Sequence, residues 1–244
     1  MFLGLDFGTT NSALARVDDD GRVSLARFTP PSSKRVPAPA SQDTFRSVLW
    51  FDPDEKGPDR RPKVSTGLQA IHDYIDAAGA GRFVQSVKSH LASATFSSTM
   101  IFNAKYTLED LVSLVVGGVR QEAEKSWGPL PGRVVAGRAV HFVRGDLDDG
   151  SAADDADRAA EDKLRPALKK AGFDDVVFEL EPVAAAARWE ERATKDELVL
   201  IADFGGGTTD LCLVEAGPTA KKRAVDGGAR DVIGTGGLGV GGGT

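Results

Sequence analysis

Asp6-Phe7-Gly8-Thr9-Thr10, near the start of the chain, returns towards its end as Asp203-Phe204-Gly205-Gly206-Gly207-Thr208-Thr209. The first copy follows the apolar residues 1–5 and precedes residues 13–17, and the second lies between 198–202 and 211–214. An apolar run, a glycine turn and a second apolar run spell a β-hairpin. Glycine in such a turn implies positive φ and backbone N–H groups that an anion can approach unobstructed. Threonine hydroxyls add donors. An aspartate at each strand end would repel phosphate unless a cation lay between them, and Asp210 adds another carboxylate to the second copy. The pattern therefore suggests a magnesium-nucleotide site built from two hairpins.

These residues carry a family resemblance. Residues 3–12, LGLDFGTTNS, and 202–215, ADFGGGTTDLCLVE, resemble the two phosphate motifs of the actin and heat-shock-protein-70 ATPase superfamily. Asn11-Ser12 leans towards DnaK-type chaperones, and Glu181-Pro182-Val183-Ala184-Ala185-Ala186 resembles that family's connecting motif. The resemblance implies an α/β chain with the actin-like, ribonuclease-H-like fold, comprising a first lobe and an incomplete second one. It implies a first-lobe core over 1–35 and 107–187, an inserted subdomain over 36–106 and the start of a second lobe over 188–244.

Carried over residue by residue, the resemblance gives Asp6 and Asp203 to a hydrated magnesium ion. Gly8, Thr9, Thr10, Asn11, Gly205, Gly206, Gly207 and Thr208 would then cradle the phosphates of ATP. Val84-Gln85-Ser86-Val87-Lys88 resembles the segment whose lysine reaches towards the γ-phosphate, so Lys88, Glu181 and Asp210 would position the attacking water. The chemistry implied is ATP hydrolysis by positioning and electrostatics, with rotation of the lobes as its output. ATP and ADP, unfolded client proteins and co-chaperones are the implied partners. An actin-like filament protein shares both phosphate motifs, and a truncated interaction module without enzymatic activity is a further alternative.

The resemblance has two gaps. Residues 135–142, VAGRAVHF, lack the family's Val-Pro pair, as in the divergent YegD-like bacterial branch. The glycine-rich residues 236–244 resemble the entry to the second lobe's outer subdomain, and the matching sequence runs no further. From about Leu198 onward, apolar faces should lack cover, and the chain after Val214 should be poorly supported.

Composition agrees with a soluble α/β protein. Of 244 residues, 41% are hydrophobic, enough for a core, and the formal charge of −6 argues against nucleic acid as the main partner. No stretch reaches the roughly 20 apolar residues of a membrane span, and the start of the chain has no basic signal-peptide region. The single cysteine, Cys212, lies in an alternating strand and reads as a core thiol in a reducing cytoplasm. Gly234-Thr235-Gly236-Gly237-Leu238-Gly239 has no room for the helix that a dinucleotide fingerprint needs, and no GxxxxGK[ST] loop exists. His72, His90 and His141 are too scattered to form a short ligand motif.

Further along, 108–124 reads as a helix with Leu111, Leu114, Val115, Val119 and Ala123 on one face, and 133–143 as a central strand. Residues 152–171 read as a helix ended by Gly172 and kinked or broken at Pro166, followed by a strand at 176–180 that delivers Glu181. The acidic run 146–157 reads as a solvated loop and helix start.

Overall fold

A computed structural model describes residues 1–29, 41–93, 95–140, 150–227 and 232–238, with 150–156 described by backbone alone. Nearly all of the expected loop over 29–39, the start of the acidic run at 146–149 and the final glycines lie outside the described residues. The chain divides into two compact units: Met1–Ala136 with Arg158–Val177, and Gly137–Asp157 with Phe178–Thr244.

The first unit is organised by strand β1 (Phe2–Phe7). Its residues alternate: Leu3, Leu5 and Phe7 are buried while Phe2 and Asp6 are exposed, so one face is committed to the core. β1 turns into β2 (Asn11–Val17) through residues 8–10, pairing Phe2 with Val17 and Phe7 with Ser12. The Asp18–Gly21 turn closes with Gly21 N–H donating to the Asp18 carbonyl at 3.0 Å, and β3 (Val23–Leu25) follows. On its other edge β1 runs parallel to β10 (Arg133–Arg138), which neighbours β11 (Asp175–Leu180). The order β11-β10-β1-β2-β3, with β4 (Phe45–Arg46) also paired to β2, joins an antiparallel meander to a parallel pair. This mixed α/β architecture is compatible with an actin-like ATPase fold.

Helix α2 (Leu108–Trp127) packs against β2. Its start is fixed by a capping box: Asp110 N–H donates to Thr107 Oγ1 at 3.1 Å and Thr107 N–H to Asp110 Oδ2 at 3.0 Å. Its buried face is wider than the sequence pattern indicates, because Leu108, Val112 and Val116 join Leu111, Val115, Val119 and Ala123. Leu114 is only half-buried. The helix is covered along more of its circumference than a surface helix would be.

Between β4 and α2 the chain forms β5 (Leu49–Lys56), β6 (Pro62–Thr66), α1 (Gly67–Asp76) and β7 (Arg82–Val84). The strands order as β6-β5-β7, and α1 lies on β5 and β6 over a core of Val48, Trp50 and Ala70. A short 3₁₀ turn, Val87–His90, and the hairpin β8 (Ser98–Ile101) and β9 (Ala104–Thr107) complete this stretch of the first unit.

Helix α3 (Gly150–Lys170) runs through Pro166 without interruption, so the expected break is absent. Pro166 and Asp162, whose carbonyl loses its partner, both sit on the exposed side, where water can satisfy it. The helix ends as expected at Gly172, whose φ is +97°. Phe173 N–H donates to the Leu168 carbonyl and Gly172 N–H to that of Lys169, the paired bonds of a Schellman cap.

The second unit contains α4 (Glu181–Glu190), β12 (Glu197–Phe204), β13 (Thr209–Ala216), α5 (Pro218–Val225) and β14 (Val232–Leu238). The strands form an antiparallel sheet in the order β12-β13-β14. One face buries Cys212, Val214 and Ala216 beneath Ala186 of α4. The opposite face leaves Leu198, Leu200 and Phe204 exposed, as the sequence leads one to expect. The chain beyond Val214 is better supported than expected. β13 continues to Ala216, Ala220 anchors α5 with 1% exposure, and β14 pairs from Val232 to Leu238.

Candidate functional site

The two glycine turns lie in different units, and each has its own geometry. In the first, Phe7 is buried at the end of β1 and fixes the strand, while Asp6, one residue earlier, points to the exposed side. Gly8, Thr9 and Thr10 form the half-buried turn. A Cβ added at Gly8 would stand 2.1 Å from the Asn11 carbonyl oxygen, so the turn closes only over a bare Cα. This changes the reason for the glycine, since Gly8 is not among the residues with positive φ. The hairpin demands the absence of a side chain and makes no use of the left-handed region.

The first turn is tied to the segment after β4. Ser47 N–H donates to the Thr10 carbonyl at 3.0 Å, and the hydroxyls of Ser12 and Ser47 share a buried hydrogen bond of 2.9 Å. Asn11 is committed sideways: its Oδ1 accepts from Arg46 Nη1 at 2.9 Å. The structure thus holds Asp6, Gly8, Thr9, Thr10 and Asn11 together on one hairpin end.

In the second turn Asp203 and Asp210 face each other across the β12–β13 pair, with Phe204 opposite Thr209. Directly opposed residues of an antiparallel pair have Cβ atoms about 4.5–5.5 Å apart. Two like charges at that spacing are destabilising unless a cation or a donor intervenes. Asp210 is 2% exposed, and Thr208 Oγ1 donates to its Oδ2 at 3.3 Å. Gly205 N–H donates to the Thr208 carbonyl at 2.8 Å, which closes the turn and uses that amide internally. Gly205 also lacks positive φ; its missing Cβ would come within 3.1 Å of the same carbonyl. The opposed carboxylates fit a hard cation that keeps several waters, the coordination magnesium prefers. Among the described residues no cluster of three or more His, Cys, Asp or Glu side chains is assembled, so such a cation would draw further ligands from water and phosphate.

Glu181 opens α4, with Pro182 in the first turn, where a missing N–H costs nothing and an acidic side chain complements the helix dipole. α4 packs on β12 and β13. Lys88 stands on a separate element of the first unit. It occupies the 3₁₀ turn after Ser86, whose φ is +58°, and its carbonyl accepts Leu91 N–H at 3.0 Å.

That turn is held by a residue the sequence pattern does not single out. Lys163 of α3 donates from Nζ to the carbonyls of Leu91 at 3.0 Å and Ser93 at 2.6 Å, clamping the end of the Lys88 turn to the helix. A lysine on an amphipathic helix looks like any solvated charge, and nothing local marks it as a carbonyl clamp. Cys212 fits its expectation: it is fully buried, and burial pushes its thiol above the ordinary value.

No protein-family model matches the chain. Among curated proteins it is similar to the chaperone protein DnaK of Thermosipho melanesiensis, with 26% identity over 216 residues, covering 88% of this chain and 30% of that protein. The chain therefore spans under a third of that relative's length. This distant likeness supports a relation to the heat-shock-protein-70 chaperones and no finer assignment. No helix among the described residues is long and apolar enough to cross a membrane.

Proposed function

We propose that the chain is the nucleotide-binding part of a DnaK-type chaperone ATPase, with both glycine hairpins serving one magnesium-ATP. The observation that carries this reading is the repeated hairpin, with an aspartate at the same offset in each copy and a second carboxylate, Asp210, opposite Asp203. The DnaK likeness along most of the chain supports it.

In this reading Asp6 and Asp203 hold the hydrated magnesium ion, which offsets phosphate charge. The threonines and the unspent amides of the two turns contact the phosphates. Lys88 stabilises charge developing on the γ-phosphate, while Glu181 and Asp210 orient the attacking water. The missing Val-Pro pair before residue 142 supports a divergent, YegD-like member with altered coupling to any substrate domain. The parallel β1–β10 pair flanked by the β1–β2–β3 meander supports the ribonuclease-H-like first lobe. The lobe and insertion boundaries drawn from the sequence, the cytoplasmic location, and clients or co-chaperones as partners belong to the same proposal.

The test is magnesium dependence. Titration with ATP should give saturable binding in magnesium that EDTA abolishes. Binding indifferent to the metal would sink the assignment of the aspartates.

A further inference from the structure

The first glycine turn is braced by a short strap whose middle residue carries a charge. β4 pairs with the start of β2, placing Phe45 opposite Ser12 and Arg46 opposite Asn11. On either side of Arg46 the strap is packed. Phe45 is 3% exposed, meets Phe28 edge-on with ring centres 5.2 Å apart, and lies so close to Gly67 that a Cβ there would stand 2.5 Å from its ring. Ser47 is buried and holds the turn through its bonds to Thr10 and Ser12. The backbone that carries Arg46 is therefore fixed against the turn.

Strand alternation then decides where the side chains go. Phe7, Ser12 and Phe45 pair across the sheet on its buried face, so Asp6, Asn11 and Arg46 belong to the outward face. Other arginines of this unit are matched to acids, as Arg27 is to Asp43 and Arg133 to Asp175. Arg46 has no carboxylate partner among the described residues, and its hydrogen bond there runs from Nη1 to Asn11 Oδ1 at 2.9 Å.

A guanidinium can only donate, so it selects which end of the Asn11 carboxamide faces it. Asn11 presents its oxygen to Arg46, and the end left open is Nδ2, with two N–H donors. An asparagine by itself could offer a ligand either its oxygen or its amino group. Beside Arg46 it offers donors only. An anion at this face meets those donors together with an unmatched positive charge, the combination that suits phosphate oxygens.

We propose that Arg46 is a positioning residue for nucleotide phosphate. It locks the Asn11 carboxamide with Nδ2 as the phosphate donor and offsets phosphate charge from the rim of the turn. The proposal rests on the reading of the first glycine turn as a phosphate site, and it adds a residue that the turn motif does not contain.

The test is calorimetric titration with magnesium-ATP of the parent chain and of Arg46→Lys, Arg46→Gln and Asn11→Asp, with Asp6→Asn beside them. Lysine also only donates, so it keeps the Asn11 oxygen engaged, whereas glutamine carries both a donor and an acceptor and lets the carboxamide turn over. Arg46→Lys should keep most of the parent's affinity. Arg46→Gln should bind roughly tenfold more weakly, as expected for a lost hydrogen bond to a charged group. A purely structural contact would survive in both. Asn11→Asp gives Arg46 a carboxylate partner, so its urea midpoint should match or exceed the parent's, while its affinity should fall roughly tenfold or more because the donor has become an anion. In the ¹⁵N spectrum, the side-chain amide pair that Asn11→Asp removes should shift in the parent on saturation with magnesium-ATP.

Parent-like affinity in Arg46→Gln or Asn11→Asp, a loss in Arg46→Lys equal to that in Arg46→Gln, or an Asn11 amide pair that nucleotide leaves in place would overturn the proposal. If Asp6→Asn still weakens binding in that case, the reading of the turn as a phosphate site stands without it. No binding by the parent chain would overturn that reading and this proposal together.

Discussion

Replacing Gly8 with alanine tests whether the first turn needs glycine for space. The new Cβ would lie 2.1 Å from the Asn11 carbonyl oxygen, against an ordinary contact of 3.4–4 Å, and both atoms belong to the backbone framework of one tight turn. No flexible side chain can yield, so the hairpin must open. Opening strains the Phe7–Ser12 pair, the buried Ser12–Ser47 hydrogen bond and the Ser47-to-Thr10 backbone bond. Forced overpacking costs about 1–3 kcal/mol, and the attached bonds place this case at the upper end, about 3 kcal/mol. Gly4→Ala in the same strand is the control, because nothing lies within 4 Å of its added Cβ. That change should stay within about 0.5 kcal/mol, since alanine also restricts the unfolded chain. Urea denaturation followed by the fluorescence of Trp50, 6% exposed in the same unit, measures both. Equal midpoints for the two variants would refute the steric account of Gly8.

Other outcomes follow from individual contacts. Burial raises the Asp110 carboxyl, but the hydrogen bonds from Lys170 and Thr107 N–H and the charges of Lys170 and Arg61 outweigh it and leave the group below its ordinary 3.8. Its stabilisation should therefore be complete above about 3.8 and fade as pH falls through the lower folded value. Asp110→Asn should cost about 1–2 kcal/mol at pH 7. The deficit should shrink towards zero in acid, and a pH-independent deficit in urea titrations would count against it. Lys163→Met should release the Leu91 and Ser93 carbonyls and speed amide exchange at Phe96, whose N–H donates to Ser93 Oγ. Unaltered exchange there would exclude the clamp. Cys212, fully buried, should give no reaction with a thiol reagent in the native chain and one equivalent in urea.

The parts of this fold legible in the sequence are those whose cause is local. The apolar runs around Gly8 and Gly205 become the β1–β2 and β12–β13 hairpins, and Gly172 closes α3 because its φ of +97° suits a residue without a side chain. Gly8 and Gly205 were readable as glycines of a tight turn but not for the right reason, since turn type depends on the distance between backbones and not on residue identity. At Pro166 α3 continues without a break, on a side that faces water, which the sequence does not reveal. Leu114 departs from its predicted face because the packing around α2 is set by strands far away in the chain. Residues such as Lys163 and Arg46 acquire their roles only from tertiary neighbours. Glu181 and its proline announce a helix start, whereas the packing of that helix on β12 and β13 comes from tertiary contacts.

The central claim is that the two aspartates at matching positions of the hairpins hold the metal of one magnesium-nucleotide. Its most direct test is calorimetric titration of the chain with magnesium-ATP, run beside the Asp6→Asn and Asp203→Asn variants. Saturable binding to the parent chain, weakened roughly tenfold or more by either substitution, consistent with loss of a charged ligand interaction, is the predicted result. No binding at millimolar nucleotide, or binding that either substitution leaves unchanged, would contradict it.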